Sequence, residues 1–227
     1  MLPGRTCMAA RLIQIYYKHE QRAQCYQFAE LFCNEGLTIF FENELIQRFV
    51  SRETAEKVGV CSWKLREKFK MYIGRPRELT EEVINSEYEV LSFTRNTERH
   101  RMLHAADRWH KGFRPTLEKI VAAIGQKCPG EVKIPIYQNA FAAKTEIYKD
   151  YVKNWLGPAM DVMLNDPEIN KLVTVDSGYT NLAKKDAADS ERLQNLIGMP
   201  YYPLAPFILE RLFSIYVHNN KIPVTWL

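Results

Sequence analysis

The sequence contains no apolar run that approaches the roughly 18 residues needed to cross a bilayer, so it predicts no transmembrane segment. The first 17 residues have no long apolar stretch before a small-residue cleavage site, and we therefore expect no signal peptide. The five cysteines are odd in number and never form a Cys-x-x-Cys spacing (Cys7, Cys25, Cys33, Cys61, Cys128). This pattern disfavours a disulfide framework and a structural zinc site, and it favours reduced thiols in a cytoplasm.

Several common catalytic motifs are also missing. Without GxxxxGK[ST] or GxGxxG, nothing local supports a P-loop enzyme or a Rossmann dehydrogenase. The chain also lacks a GxSxG nucleophile elbow and an HExxH metal motif. What the chain does contain is 46% hydrophobic and 12% aromatic residues in a length of 227, which excludes wholesale disorder and predicts one folded domain over residues 1–227.

The net charge of +4 is concentrated in one segment. Residues 64–114 hold twelve Lys or Arg and eight Asp or Glu, a surplus that equals that of the whole chain. Because aromatic residues are interleaved with these cations, the segment could attract the phosphates of a nucleotide, a nucleic acid or a lipid carrier. The alternative is a solvated face with ordinary i,i+4 ion pairs.

Short apolar runs alternate with helical patterns, which predicts an α/β fold with a mostly parallel central sheet flanked by helices. The predicted strands are Leu12–Tyr17, Leu37–Phe41, Lys57–Ser62, Glu89–Phe93, Asn139–Lys144 and Ile222–Trp226. The predicted helices cover Ala23–Phe32, Asn43–Val50, Thr97–His110 and Pro115–Ile124, a segment after Lys144 that Gly157 and Pro158 break or kink, and the final segment Tyr201–Asn220.

Parallel sheets bind ligands beyond the carboxyl ends of their strands, so the residues that follow the strand Lys57–Ser62 are candidates. Ser62 ends this strand, and Trp63 could stack on a base or a sugar. Lys64 and Arg66 could neutralise a pyrophosphate. The alternative is a strand-to-helix junction with a packed tryptophan and solvated cations.

Two acids are candidates for a base or a substrate ligand. Asp176 lies in a turn-like setting, where it could instead bind its own backbone. Glu210 lies on the polar side of the final helix, which faces either a cleft or solvent and also carries Ser214 and His218. A third polar cluster, His100, His104 and Asp107, shares one helix face and is interpreted either as metal ligands or as an ordinary surface face.

Three segments resemble, in order, the glycosyltransferase-like domains found with bacterial capsular polysaccharide genes, which have the GT-A nucleotide-sugar fold. The first is "VGVCSWKLREKF" at 58–69, where a buried strand leads into an aromatic and basic residues. The second is "YQNAFAAKTEIYKDYVKNWLGPAM" at 137–160, and the third is "FILERLFSIYVHNN" at 207–220. The resemblance covers about residues 57–221, most of the chain.

This resemblance implies a single GT-A-like domain that moves a hexose from a nucleotide-sugar donor, such as a UDP-sugar, to a hydroxyl of a saccharide acceptor. It implies that Glu210 points into the cleft, where it joins Asp176 as a candidate catalytic acid, and that the donor is bound by Ser62, Trp63, Lys64, Arg66, Asn139 and Arg211. The chain departs from the family by having no Asp-x-Asp motif for a divalent ion. We therefore expect no metal, with Lys64 and Arg66 taking its place at the diphosphate.

Two other functions stay open at this point. The basic segment 64–114 could seat DNA, which would make the protein a transferase for hydroxymethylated bases of the kind that phages encode. Alternatively, a protein without the metal motif could have kept the fold and lost the chemistry, leaving a nucleotide- or carbohydrate-binding module. In each case the predicted location is the cytoplasm.

Overall fold

The computed structural model describes residues 10–34, 36, 38–67, 79–93, 101–179 and 187–227. The strands are β1 (Ala10–Tyr16), β2 (Glu30–Cys33), β3 (Lys57–Ser62), β4 (Val90–Ser92), β5 (Phe141–Lys144) and β6 (Val224–Trp226). The helices are α1 (Asn43–Arg52), α2 (Glu81–Asn85), α3 (Met102–Trp109), α4 (Phe113–Ala123), α5 (Thr145–Tyr151), α6 (Gly157–Asn165), α7 (Pro167–Val173), α8 (Ala187–Ile197) and α9 (Ala205–Asn220). A 3₁₀ helix covers His19–Gln24, and a π-helical turn covers Val152–Leu156.

The six strands form one mixed sheet in the order β2-β1-β3-β5-β4-β6. β1 pairs in parallel with β2 and β3, and β4 pairs in parallel with β6. β5 is antiparallel to both of its neighbours, β3 and β4. Five strands therefore run in one direction and β5 runs against them. The predicted α/β fold with a sheet dominated by parallel pairs is confirmed, with β5 as the exception.

Both faces of the sheet are covered, as the near-continuous apolar runs in its strands require. In β1 the alternation is clear, because Ile13 and Ile15 join the larger hydrophobic cluster while Leu12 joins a smaller cluster on the other face. Helix α9 packs against the sheet through Phe213, whose ring stacks on Phe141 of β5 with centroids 3.8 Å apart. The long apolar side of α9 is thus part of the core.

Two predicted elements are wrong. Ala23–Phe32, predicted as a helix, instead contains the end of the 3₁₀ helix, a loop and the start of β2. The buried side chain of Gln14 in β1 accepts the N–H of Tyr26 at 2.7 Å, and the residues after it pair with β1 as a strand. Local helical spacing is overridden here because the sheet offers backbone partners.

Leu37–Phe41, predicted as a strand, is the second error. Residue 37 lies outside the described part of the chain, and residues 39–42 form a turn that leads into α1. Asn43 donates from Nδ2 to the carbonyl oxygen of Phe40 at 2.8 Å, and Phe41 has a left-handed φ of 53°. Side-chain hydrogen bonding to the local backbone stabilises this turn in place of a strand ladder.

The predicted strands Lys57–Ser62, Glu89–Phe93, Asn139–Lys144 and Ile222–Trp226 correspond to β3, β4, β5 and β6. At Gly157 and Pro158 the helical path is irregular, since the π-helical turn separates α5 from α6. Within the described residues, no helix combines the length and the apolarity that crossing a membrane demands.

Candidate functional site

A cavity of about 360 Å³ opens at the edge of the sheet where the parallel strands end. Tyr17 follows β1 directly, and Ser62, Trp63 and Lys64 lie at the end of β3. Gln138 precedes β5, whose reversed direction brings its start to the same edge. The position is the one at which α/β sheets bind ligands, and the volume is in the usual range for small-molecule sites, roughly 300–1,000 Å³.

Aromatic rings form one wall of this cavity. Phe41 stacks on Tyr202 with centroids 5.8 Å apart, and Tyr202 meets Tyr179 edge-on at 5.4 Å. Tyr179 in turn lies 5.3 Å from Phe207 of α9. Trp63 contributes a further ring on the strand side. Such a wall offers flat apolar area for a base or a sugar face.

Charged side chains line the rest of the cavity. The cations are Lys64, Arg192 and Arg211, and the acids are Glu42 and Glu210. Glu210 and Arg211 form an ion pair in which Nη1 lies 3.0 Å from Oε2. The ammonium of Lys64 lies 5.2 Å from the centre of the Trp63 ring. The wall therefore carries one more positive than negative side chain, which suits a ligand with a net negative charge.

Two polar atoms on this wall are buried without a hydrogen-bond partner among the described residues. They are Oε1 of Gln138 and Nε of Arg211. Buried polar groups in folded proteins are normally paired, so two such atoms at one cavity are unusual. Together they supply an acceptor and a donor to a ligand that binds there.

The Tyr17 phenol lies among several of these charges. Burial raises its pKa well above the ordinary value, and the carboxylates of Glu42 and Glu210 raise it further, while Arg192 lowers it in part. The phenol therefore stays protonated at neutral pH and can donate a hydrogen bond. These opposing influences also show that side chains from four separate segments converge on one point.

The backbone around the cavity is strained. Phe41, Gln138 and Asn139 have left-handed φ angles of 53°, 60° and 53°, which is uncommon outside glycine. The side chain of Asn139 donates to Oδ1 of the buried Asn43 at 3.4 Å, which links the two strained loops beneath the cavity. Strain of this kind persists where surrounding structure enforces it, and it clusters at functional sites.

The structure brings five of the eight predicted site residues to this cavity, namely Ser62, Trp63, Lys64, Glu210 and Arg211. The other three lie elsewhere. The Arg66 guanidinium lies 6.0 Å from the centre of the Tyr26 ring, and Asn139 turns its side chain to Asn43. Asp176 accepts the N–H of Gly178 at 2.9 Å in an Asx turn.

The polar side of α9 does not face the cleft along its whole length. Glu210 reaches the cavity, but Ser214 is fully buried and exchanges hydrogen bonds with the backbone of Ile136. Nδ1 of His218 accepts the N–H of Lys133 at 3.3 Å. The C-terminal part of this polar side therefore binds the backbone of the segment that leads to Gln138.

The alternative metal cluster is not assembled by what the structure describes. His100 lies outside the described residues, and Asp107 accepts the backbone N–H of Arg114 at 3.0 Å, near the start of α4. Across the described ranges as a whole, no three His, Cys, Asp or Glu side chains come close enough together to hold a metal ion.

The basic segment 64–114 is described only in part. Residues 68–78 and 94–100 lie outside the described ranges, and of the described cations of the segment, Lys64 lines the cavity. Transfer to DNA and non-catalytic binding therefore stay predictions.

Sequence reasoning missed Tyr17, Glu42, Gln138, His110 and Arg192, all of which line the cavity. Tyr17 could have been found, because it is the last residue of a predicted strand of a parallel sheet. Glu42, Gln138 and His110 come from loops or a helix end, and Arg192 comes from the middle of α8, so their approach to the cavity depends on tertiary packing.

His110, one of these missed residues, is held by contacts on two sides. Its ring stacks on Phe207 with centroids 4.1 Å apart, and Nδ1 lies 3.1 Å from the carbonyl oxygen of Ser177. Burial lowers the imidazole pKa, the hydrogen bond to Ser177 raises it in part, and the charge of Arg211 lowers it. The net effect is a pKa below the ordinary value, so the ring is neutral at neutral pH.

Comparison of the chain with protein-family models, with curated proteins and with solved structures finds no match.

Proposed function

We propose that the protein is a glycosyltransferase that moves a sugar from a nucleotide-sugar donor, such as a UDP-sugar, to a hydroxyl of an acceptor saccharide. The observation that carries the proposal is the meeting of two distant segments at one cavity. Trp63 and Lys64 from the end of β3 share its wall with Glu210 and Arg211 from α9. Both segments belong to the ordered set of motifs that resembles the capsular glycosyltransferase-like domains.

The sheet also supports a GT-A-like fold. It has five strands in one direction and one internal strand, β5, against them, with helices on both faces. Such an arrangement is compatible with a nucleotide-sugar fold whose donor lies at the carboxyl ends of the parallel strands.

In this proposal the cations bind the diphosphate. Lys64, Arg192 and Arg211 line the cavity, and guanidinium and ammonium groups stabilise the charge that develops on a leaving diphosphate. The Phe41 and Tyr202 rings, with Trp63, offer faces for the base or the sugar. Glu210 acts as an acceptor of hydrogen bonds from sugar hydroxyls.

A divalent ion does not fit this donor site. Typical GT-A enzymes hold one through an Asp-x-Asp motif, whereas Ser62, Trp63 and Lys64 stand at that place here. An ammonium group beside the strand end repels a cation and is no metal ligand. In the proposed function, protein cations therefore bind the diphosphate, and no step uses a metal ion. It places the reaction in the cytoplasm, in keeping with the absence of a disulfide among the described cysteines.

The proposal is tested by titrating the protein with uridine, guanosine, adenosine and cytidine diphosphates in a calorimeter, in the presence of EDTA. We expect at least one to bind. Lys64→Ala should weaken that binding by about 1.5–3 kcal/mol, the usual worth of a hydrogen bond to a charged group. Lys111→Ala is the matched control, because Lys111 is exposed and does not line the cavity.

Donor hydrolysis and transfer are then assayed with the corresponding nucleotide sugars and a panel of saccharides. Failure of every nucleoside diphosphate to bind would contradict the proposal. Equal affinity in wild type and Lys64→Ala would contradict the placement of the diphosphate.

A further inference from the structure

The imidazole of His110 is held in one orientation in the wall of the cavity. Its ring is stacked on Phe207, its Nδ1 faces the carbonyl oxygen of Ser177, and the residue is 4% exposed. Contacts on the face and on one edge leave the ring little freedom to turn. A group that moves a proton during a reaction needs an orientation set in advance in this way.

The contact with Ser177 also determines the tautomer. A carbonyl oxygen can only accept a hydrogen bond, so Nδ1 carries the hydrogen and Nε2 of the neutral ring keeps its lone pair. No described residue makes a hydrogen bond with Nε2. His110 lines the cavity, and Nε2 is the ring nitrogen that the Ser177 contact leaves able to accept a proton.

The acids near the cavity are less suited to accept a proton. Oε2 of Glu210 lies 3.0 Å from the Arg211 guanidinium, and protonation would break this ion pair. The Glu42 carboxylate is already engaged by the Tyr17 phenol, whose pKa it raises through its charge and a side-chain hydrogen bond. Asp176 is bound to Gly178 and does not line the cavity. The remaining charged groups on the wall, Lys64 and Arg192, are cations.

We infer that His110 is the proton acceptor of the transfer reaction, and that the reaction inverts the configuration at the anomeric carbon. This inference rests on the proposed function. In the step, the acceptor oxygen forms a bond to the anomeric carbon while the bond from that carbon to the diphosphate oxygen breaks. The electron pair of the broken bond leaves with the diphosphate, and the hydroxyl proton passes to Nε2. One displacement assisted by one base inverts the carbon.

His110→Asn tests this role, because the Asn Nδ2–H can still donate to the Ser177 carbonyl while Nε2 is lost. We expect turnover to fall by about 10²–10⁴-fold, the usual contribution of a positioned base, with the affinity for the nucleoside diphosphate unchanged. His104→Asn is the matched control, since His104 is exposed and lies outside the cavity. Its turnover should equal that of wild type. The anomeric configuration of the wild-type product, read by proton NMR, should be inverted.

The outcomes separate this inference from the proposed function. Transfer with retained configuration, or wild-type turnover in His110→Asn, would overturn the inference and leave the proposed function standing. A wild-type protein that transfers to no acceptor would overturn both. Should His110→Asn fail to fold, nitrogen-15 NMR of wild-type histidines decides the point. The inference requires a neutral His110 ring protonated at Nδ1 at neutral pH, and protonation at Nε2 would overturn it.

Discussion

At the scale of a single residue, Arg211 interacts with several of the side chains that line the cavity. Its Nη1 donates to Glu210 and to the carbonyl oxygen of Phe207, each at 3.0 Å. The guanidinium lies 5.9 Å from the centre of the Phe113 ring, and its charge lowers the pKa of His110. These contacts hold the side chain in place, and its Nε, which has no hydrogen-bond partner among the described residues, can still donate to a ligand.

Glu210→Gln tests whether the acid positions this cation or performs the chemistry. The amide oxygen of Gln can still accept from Arg211, so we expect turnover to fall less than in His110→Asn. Because the Glu210 side chain is 23% exposed, the unfolding free energy should change by only about 1 kcal/mol, as for other partly exposed ion pairs. Turnover and urea unfolding are measured on the same sample.

Glu118→Gln is the control for Glu210→Gln, since Glu118 pairs with Arg114 on the surface, away from the cavity. A loss of about 10²–10⁴-fold in turnover with unchanged stability would make Glu210 the base instead. Early melting with normal turnover would make the Glu210–Arg211 pair purely structural.

Helix α9 joins the core, the cavity and a loop at the scale of the element. Its first turns carry Phe207, Glu210 and Arg211 to the cavity, and Phe213 packs on the sheet. One turn further along, the Ser214 hydroxyl accepts the N–H of Ile136 at 2.8 Å and donates to its carbonyl oxygen at 3.0 Å. Through Ser214, which does not line the cavity, the helix therefore positions the loop that carries Gln138.

Ser214→Ala should lower the unfolding free energy by about 1–3 kcal/mol, because it removes the buried hydroxyl on which both backbone groups of Ile136 depend. Urea unfolding gives the loss, and hydrogen exchange at the Ile136 amide should become faster. Ser51→Ala, an exposed serine near the end of α1, should change neither quantity. An unaltered exchange rate in Ser214→Ala would mean that the loop is held by other contacts.

Elements with a strong apolar pattern could be predicted from the sequence. Elements whose conformation depends on hydrogen bonds to other residues could not. β3 is buried almost throughout, so its run of small and branched residues was sufficient to define Lys57–Ser62. β2 was missed because its strand state comes from pairing with β1, and its own residues also fit a helix. The turn before α1 was missed because the side chain of Asn43, not the pattern, stabilises it.

The same distinction applies to the cavity at the scale of the whole molecule. Trp63 and Lys64 could be predicted, because the end of a buried strand has a known place in a parallel sheet. Glu210 could be named as a candidate acid from the polar side of its helix, and the role of Arg211 came from a family resemblance, but their meeting with β3 is a property of the packed fold. His110 could not be found, because its approach depends on α3, the Ser177 loop and α9 together.

The neutral state of His110 also makes the stability of the whole molecule depend on pH. In the native state burial, the largest cause, lowers its pKa below 6.5, and Arg211 adds to this. The unfolded chain keeps the ordinary pKa, so below about pH 6.5 the unfolded state binds a proton that the native state does not. The contribution of His110 to the unfolding free energy is therefore fully present above about pH 6.5. It is lost as the pH falls from there through the lower pKa of the native ring.

Urea unfolding of wild type, His110→Asn and the control His104→Asn at pH 7.5, 6.5 and 5.5 measures this contribution. Uptake of one proton by the unfolded state limits the slope to about 1.4 kcal/mol per pH unit. We expect wild type and His104→Asn to lose more stability on acidification than His110→Asn, because only the last lacks the buried imidazole. Parallel curves for wild type and His110→Asn would show that the native ring takes up its proton as readily as the unfolded one. Such a ring would be charged near pH 6, and it could not serve as the neutral proton acceptor there.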